Sequence, residues 1–229
     1  MSNFWIITTA VAGYLLGALP FGYLVARAHG VDIFKVGSGN PGATNVKRVL
    51  GEKFGAKGRR AGNLVFALDA LKGAVATGWP LWFRHSSAIN ETYFPSESSV
   101  PWHVLPLIGV VAAVLGHSFS VFTRFKGGKG VATAAGGLVV LLPVACAIAA
   151  GVWVLTFYAT RYVSLGSILG AVAVIVASWL LDYHVAYAVI ATVLAGFVIL
   201  RHHTNIRRLL GGTEAKFTPA ADKKPDPQS

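Results

Sequence analysis

Long, uninterrupted apolar stretches constrain this chain more than any other feature of its sequence. They run at 4–26, 62–83, 102–123, 130–144, 145–160, 164–181 and 184–200, several of them close to the ~20 residues that a helix needs to cross a hydrocarbon layer of ~30 Å. Only helices and closed barrels satisfy every backbone polar group in lipid, and the runs are continuous rather than alternating at every second residue, which argues against a barrel. A composition that is 54% hydrophobic and 13% charged is too apolar for an ordinary soluble domain. The expected fold class is therefore all-α: a polytopic integral membrane protein of seven transmembrane helices. The first run has no basic segment before it and is followed by further spans, so it reads as a retained helix rather than a signal peptide. Residues 130–160 hold either two short helices turning near Pro143 or one long tilted helix, which leaves a six-span alternative.

Charge supports seven spans. The segment 27–61 carries Arg27, Lys35, Lys47, Arg48, Lys53, Lys57, Arg59 and Arg60 against Asp32 and Glu52, which marks it as cytoplasmic. Seven spans with the N-terminus outside then place Arg124, Lys126, Lys129, Arg161 and the tail from Arg201 on the same side. Of the 20 Lys and Arg residues, only Lys72 and Arg84 fall elsewhere. This distribution accounts for the net charge of +11 without a nucleic-acid partner; the partner it implies is the lipid bilayer. Residues 1–214 form one membrane domain, and 215–229 read as a polar, disordered cytoplasmic tail. The single cysteine, Cys146, lies in an apolar stretch and reads as a packing residue. Asn90-Glu91-Thr92, in the outer loop 84–101, fits a glycosylation sequon that matters only in a glycosylating compartment.

Three basic segments carry the chemistry. The first, Gly37-Ser38-Gly39-Asn40-Pro41-Gly42-Ala43-Thr44-Asn45, is followed by Val46-Lys47-Arg48. Small, amide-bearing and hydroxyl-bearing residues ending in two cations can wrap an anion with backbone N–H groups. Its G-x-G-x-x-G start follows a membrane span instead of a strand, so it is no dinucleotide fingerprint. The second, Phe125-Lys126-Gly127-Gly128-Lys129-Gly130-Val131-Ala132-Thr133, sets two lysines among three glycines before an apolar helix, where amides, charge and close backbone approach suit phosphate. Gly130 stands where a Walker A motif needs Ser or Thr, so ATP is not implied. The third is Arg201-His202-His203-Thr204-Asn205-Ile206-Arg207-Arg208. On a continuous helix Arg201, Asn205 and Arg208 share a face with His202 beside it, either facing an anion or anchoring the helix at headgroups.

Inside the spans, Asp69 and Lys72 are spaced to pair, in a functional role or as a lock between helices. His117 lies late in the third span and reads as a buried, hydrogen-bonded histidine or as part of the same cavity. There is no Gly-x-Ser-x-Gly elbow, no His-Glu-x-x-His and no His-x-x-x-x-Asp, so no obvious general base. The inventory suits holding phosphates and an oxyanion rather than extracting a proton.

At the three segments just quoted, the sequence closely resembles the bacterial acyl-phosphate:glycerol-3-phosphate acyltransferase family (PlsY), from the first span to about Glu214. The resemblance implies a seven-helix protein of the bacterial cytoplasmic (inner) membrane with its active site on the cytoplasmic side. It implies transfer of a fatty acyl group from acyl phosphate to the 1-hydroxyl of glycerol 3-phosphate in phospholipid biosynthesis, giving lysophosphatidic acid and phosphate. No metal and no organic cofactor is implied. By motif position, Ser38, Arg48, Lys129, His202 and Asn205 are the catalytic candidates. Gly37, Gly39, Asn40, Asn45, Lys126, Gly127, Gly128, Gly130, Thr133 and Arg201 are the phosphate-binding ones. The sequence departs from the family at Ser120, where proline is usual, and in its extended outer loop and tail. A contact with an acyl-phosphate-producing enzyme is compatible with these implications. Because an acyl phosphate is already activated, alignment and charge stabilisation suffice, with a substrate phosphate taking the proton; a covalent acyl-Ser38 intermediate is the competing mechanism. The rivals from other classes are a transporter for a phosphorylated metabolite, for which the one-sided motifs fit poorly, and a scaffold for lipid-synthesis enzymes.

Overall fold

The computed structural model describes residues 2–85 and 104–217. The expected outer loop, except for its first two residues, and the tail beyond Phe217 lie outside the described residues, as does the sequon at Asn90. Within them the chain is helical with no strand: α1 (Ser2–Ala18), α2 (Phe21–Ala28), α3 (Ala43–His85), α4 (from Val104 to Ser118), α5 (Val131–Leu141), α6 (Pro143–Thr160), α7 (Val163–Leu180), α8 (Val185–Arg201) and α9 (His203–Leu210). Five stretches are long and apolar enough to cross a membrane: Asn3–Ala28, Ala43–Phe83, Val104–Thr123, Pro143–Thr160 and Val163–Leu180. A sixth is reached if α8 and α9, bent by 57° at His202, count as one. Residues 131–160 form two helices rather than one, meeting at Leu142 with Pro143 opening the second. At 11 residues, or about 16 Å of helix, α5 is shorter than a span.

Two expectations need correction. The first run is not one continuous helix: it breaks at Leu19–Pro20, because proline has no N–H and its ring clashes with the preceding turn. The segment 27–61 is not simply a loop. Ala43 to Phe54 is helical and reverses at Gly55, whose φ of 58° and ψ of −131° fall in a region only glycine occupies readily. This arm returns against the start of the second apolar run, and a Cβ on Gly62 would strike the backbone of Lys47. Val46, Leu50 and Val65 are buried there with Ala26, Val31 and Ile33 in a small core of their own.

The main core is formed by α4 to α8, with Val110, Val114, Leu138, Leu142, Val174, Leu194 and Val198 among its buried residues. Helix α5 packs between this core and α3, where small residues allow the backbones to approach. Gly73 of α3 lies against the Thr133 carbonyl, and Gly136 of α5 against the Ala70 carbonyl. The short helix is thus packed closely on one side and exposed at Val139 and Val140 on the other, and its N-terminus lies at the end of the bundle that carries the basic segments.

Candidate anion-holding active site

The first segment is braced by its own amides. Asn45, 4% exposed, accepts at Oδ1 from the Ser38 N–H (3.0 Å) and from Arg48 Nη2 (2.8 Å), and donates from Nδ2 to the Val36 carbonyl (3.2 Å). Asn40 Oδ1 accepts from the Gly42 N–H (2.7 Å). Gly37 and Gly39 take left-handed φ angles of 61° and 67°. Asn40 and Asn45 therefore shape the loop, and by doing so leave Ser38 exposed beside it and aim the Arg48 guanidinium.

The second segment meets the third directly. Lys129 donates from Nζ to Asn205 Oδ1, and Arg201 Nη2 donates to the carbonyls of Gly128 (3.0 Å) and Gly127 (3.4 Å). Gly130, at φ 84°, precedes the first turn of α5, so the free amides of that turn face the same region. Lys126 is exposed, whereas Thr133 is buried within α5 with no partner for its hydroxyl. The bend at His202 separates Arg201 from Asn205, which were expected on one straight helix, yet both reach the second segment. His202 is buried, its Nδ1 2.7 Å from the Val198 carbonyl.

Glu214 is the residue that the sequence reading missed. Its Oε1 accepts from Ser164 Oγ (2.6 Å) and Asn205 Nδ2 (2.6 Å), and its Oε2 from Arg208 Nε (2.6 Å). Burial works against its ionisation, but these three hydrogen bonds prevail and hold the carboxyl below its ordinary pKa. A lone acid six residues beyond Arg208, in a stretch otherwise rich in Arg and His, is the signal that was available. For Lys129, burial pulls the pKa down to about 8. Glu214 acts in the other direction, and Arg208, Arg201 and Arg48 add to the lowering. Four cations and one carboxylate thus gather around the start of α5. The excess positive charge, set among amides and half-buried, is suited to multiply charged anions.

Asp69, Lys72 and His117 do not join this cluster. They lie behind the second segment: Lys72 Nζ is 2.7 Å from Asp69 Oδ1, and His117 Nδ1 is 3.6 Å from the same oxygen.

These features describe a polytopic membrane protein with a cluster of cations gathered at one end of its bundle. The sequence family described as glycerol-3-phosphate acyltransferase matches residues 7–212. The chain is 42% identical to a glycerol-3-phosphate acyltransferase of Bacillus cytotoxicus, over 90% of this chain and 92% of the relative. It is 41% identical to the one of Aquifex aeolicus, over 90% and 96%. Among solved structures it is similar to PlsY, an integral membrane glycerol 3-phosphate acyltransferase, in its glycerol 3-phosphate form, with a TM-score of 0.77 and 36% identity, covering 93% of this chain and 96% of that one. The lysophosphatidic acid form gives a TM-score of 0.74. The chain belongs to the glycerol-3-phosphate acyltransferase family and is an integral membrane acyltransferase.

Proposed function

We propose that this protein transfers a fatty acyl group from acyl phosphate to the 1-hydroxyl of glycerol 3-phosphate, releasing lysophosphatidic acid and inorganic phosphate, at the cytoplasmic face of a bacterial inner membrane. The observation that carries the reading is the convergence of Arg48, Lys129, Arg201 and Arg208 around the N-terminus of α5. Both substrates bring a phosphate to such a site, and the acyl chain reaches it from the lipid between helices. The positive-inside distribution supports seven spans with the N-terminus outside, α5 crossing as a short helix packed against its neighbours. The tail beyond Glu214 is read as a cytoplasmic extension.

The substrate's hydroxyl oxygen attacks the acyl carbonyl carbon, the bond from that carbon to the phosphate oxygen breaks, and the hydroxyl proton passes to a substrate phosphate oxygen. Glu214, the carboxylate of the cluster, is poorly placed for that proton: it already accepts three hydrogen bonds and is held ionised. The site therefore works by alignment and by stabilising charge. Lys129, Lys126, Arg48 and Arg201 neutralise the phosphates, the glycine-rich backbone approaches them, and Ser38, His202 and Asn205 orient the hydroxyl and carbonyl.

The test is product formation by purified protein given glycerol 3-phosphate with either acyl phosphate or acyl-CoA. Lysophosphatidic acid and phosphate from acyl phosphate alone are expected. Product from acyl-CoA alone would overturn the donor, and an acyl-enzyme trapped with labelled donor and lost in Ser38→Ala would overturn the mechanism.

A pH dependence follows. With its pKa near 8, Lys129 of the free protein is charged below pH 8 and neutral above it, and only the charged form attracts phosphate. KM for the substrate it holds rises as pH passes through about 8, while kcat stays flat to higher pH because a bound phosphate raises the lysine pKa. The rise disappears in Lys129→Arg, whose guanidinium stays charged. A wild-type KM that is constant from pH 7 to 9 would contradict this.

A further inference from the structure

The buried pair Asp69–Lys72, with His117, belongs to none of the steps above, yet it lies between the break at Pro20 and the second basic loop. Lys72 Nζ donates to the Leu19 carbonyl at 2.9 Å, next to the bond where Pro20 breaks the first span, and lies 5.4 Å from the centre of the Phe21 ring. The neighbouring carbonyl, Ala18, accepts from Ser120 Oγ at 2.5 Å. Lys72 and Ser120 thus satisfy backbone groups that the broken helix leaves open. Just past the break, Gly22 packs on the Pro41 carbonyl, so closely that a Cβ there would overlap it. The break therefore carries the first basic loop.

From Lys72 the contacts also run the other way. Asp69 faces His117, and the His117 ring lies against Gly128, where any Cβ would strike Nε2 and Cε1. The Gly128 N–H donates to the His117 carbonyl at 3.2 Å. One cleft is lined by Pro20, Pro41, Lys72, His117, Lys126 and Gly128 together. The side chains of Asp69 and Lys72 are 3% and 2% exposed. Taking two charges out of water costs several kcal/mol per ion, and well-packed apolar residues often stabilise a fold as well or better. Packing alone does not explain the pair. Holding a bare carbonyl at a helix break while bracing a histidine under a glycine loop does.

We propose that Asp69, Lys72 and His117 are positioning residues that fix the first basic loop, with Ser38 and Arg48, relative to the second, with Lys126 and Lys129. This rests on the reading that those two loops hold the reacting phosphates. Each loop keeps its own donors when the brace is removed, so binding survives but alignment does not; a displacement near 1 Å costs about 10²-fold in rate.

The experiment compares Lys72→Met, the double variant Asp69→Asn/Lys72→Met, and His117→Gln, reading unfolding temperature, kcat and both KM values in detergent. Lys72→Met alone leaves a buried carboxylate without its ammonium partner and lowers the unfolding temperature. The double variant recovers that temperature while its kcat stays about 10²-fold low and its KM values move less than about threefold. His117→Gln leaves the ion pair in place and lowers kcat at nearly wild-type unfolding temperature; it decides the matter if the double variant does not fold. Wild-type kcat in a folded double variant, or in folded His117→Gln, would show a structural role only and overturn the proposal. Lys129→Ala is the control: full activity there would mean that the phosphate reading of the second loop had failed, separately from the brace.

Discussion

Lys129→Ala lowers kcat/KM for acyl transfer by about 10³-fold or more, with an unfolding temperature close to that of the wild type. Removing one well-placed donor to developing charge typically costs 10²–10³-fold, and Lys129 is more than one donor. Its ammonium is half-buried among Arg48, Arg201 and Arg208, where low local polarity strengthens its attraction for phosphate. It also holds Asn205 Oδ1 and so fixes the face of the carboxamide that turns toward Glu214. The loss has two parts, a missing charge and a freed Asn205. The fold should survive, because removing one of four crowded cations relieves repulsion. Steady-state kinetics on detergent-purified protein, with phosphate release and lipid product measured together, checks this. A kcat/KM within tenfold of wild type would remove Lys129 from the site.

The position of Lys129 was readable from the sequence because the chemistry is local. Glycines on both sides of it and an apolar helix directly after it are written in nine consecutive residues, and the structure builds from them the loop and helix N-terminus that they suggest. The same holds for Ser38 to Arg48, whose braces, Asn45 to Ser38 and to Arg48, are all within ten residues. What the sequence did not reveal depends on distance along the chain. The break at Pro20 is visible in principle, but it is made tolerable by Lys72, 53 residues on, and by Ser120, 102 residues from Ala18. The helical arm Ala43–Phe54 had its own sign in the spacing of Val46, Val49 and Leu50. Eight cations in 27–61 masked that sign, and the burial of those residues is known only once Val31, Ile33 and Val65 are placed against them. The close packing of the 11-residue α5 likewise depends on Gly73 meeting Thr133 across 60 residues of sequence. Hydropathy measures the apolarity of a segment and not its helical length or what it packs against, so a short apolar helix reads like a span.

Glu214→Ala should cost both stability, by about 1–3 kcal/mol, and activity, by more than 10²-fold in kcat/KM. Its side chain is 9% exposed, and it accepts from Ser164 on α7, Asn205 on α9 and Arg208 on α9. It therefore ties the turn after α9 to the start of α7 and orients the carboxamide that meets Lys129. Hydrogen bonds to a charged acceptor contribute about 1.5–3 kcal/mol each, though not additively. Among the described residues the carboxylate is also the one negative charge facing the four cations; without it Arg208 loses its ion-pair partner and Lys129 loses the neighbour that raises its pKa. Its pKa should then fall below 8, so any residual activity of the variant declines at lower pH than in the wild type. Glu214→Gln separates these effects, since it keeps an acceptor for Ser164 or Arg208 while losing the charge: it retains most of the stability but shares the shifted pH profile. Thermal unfolding and a KM profile between pH 6 and 9 on both variants make the comparison. An alanine variant with wild-type unfolding temperature and pH profile would mean that Glu214 is a bystander to the site, and that Asn205 and Lys129 orient each other without it.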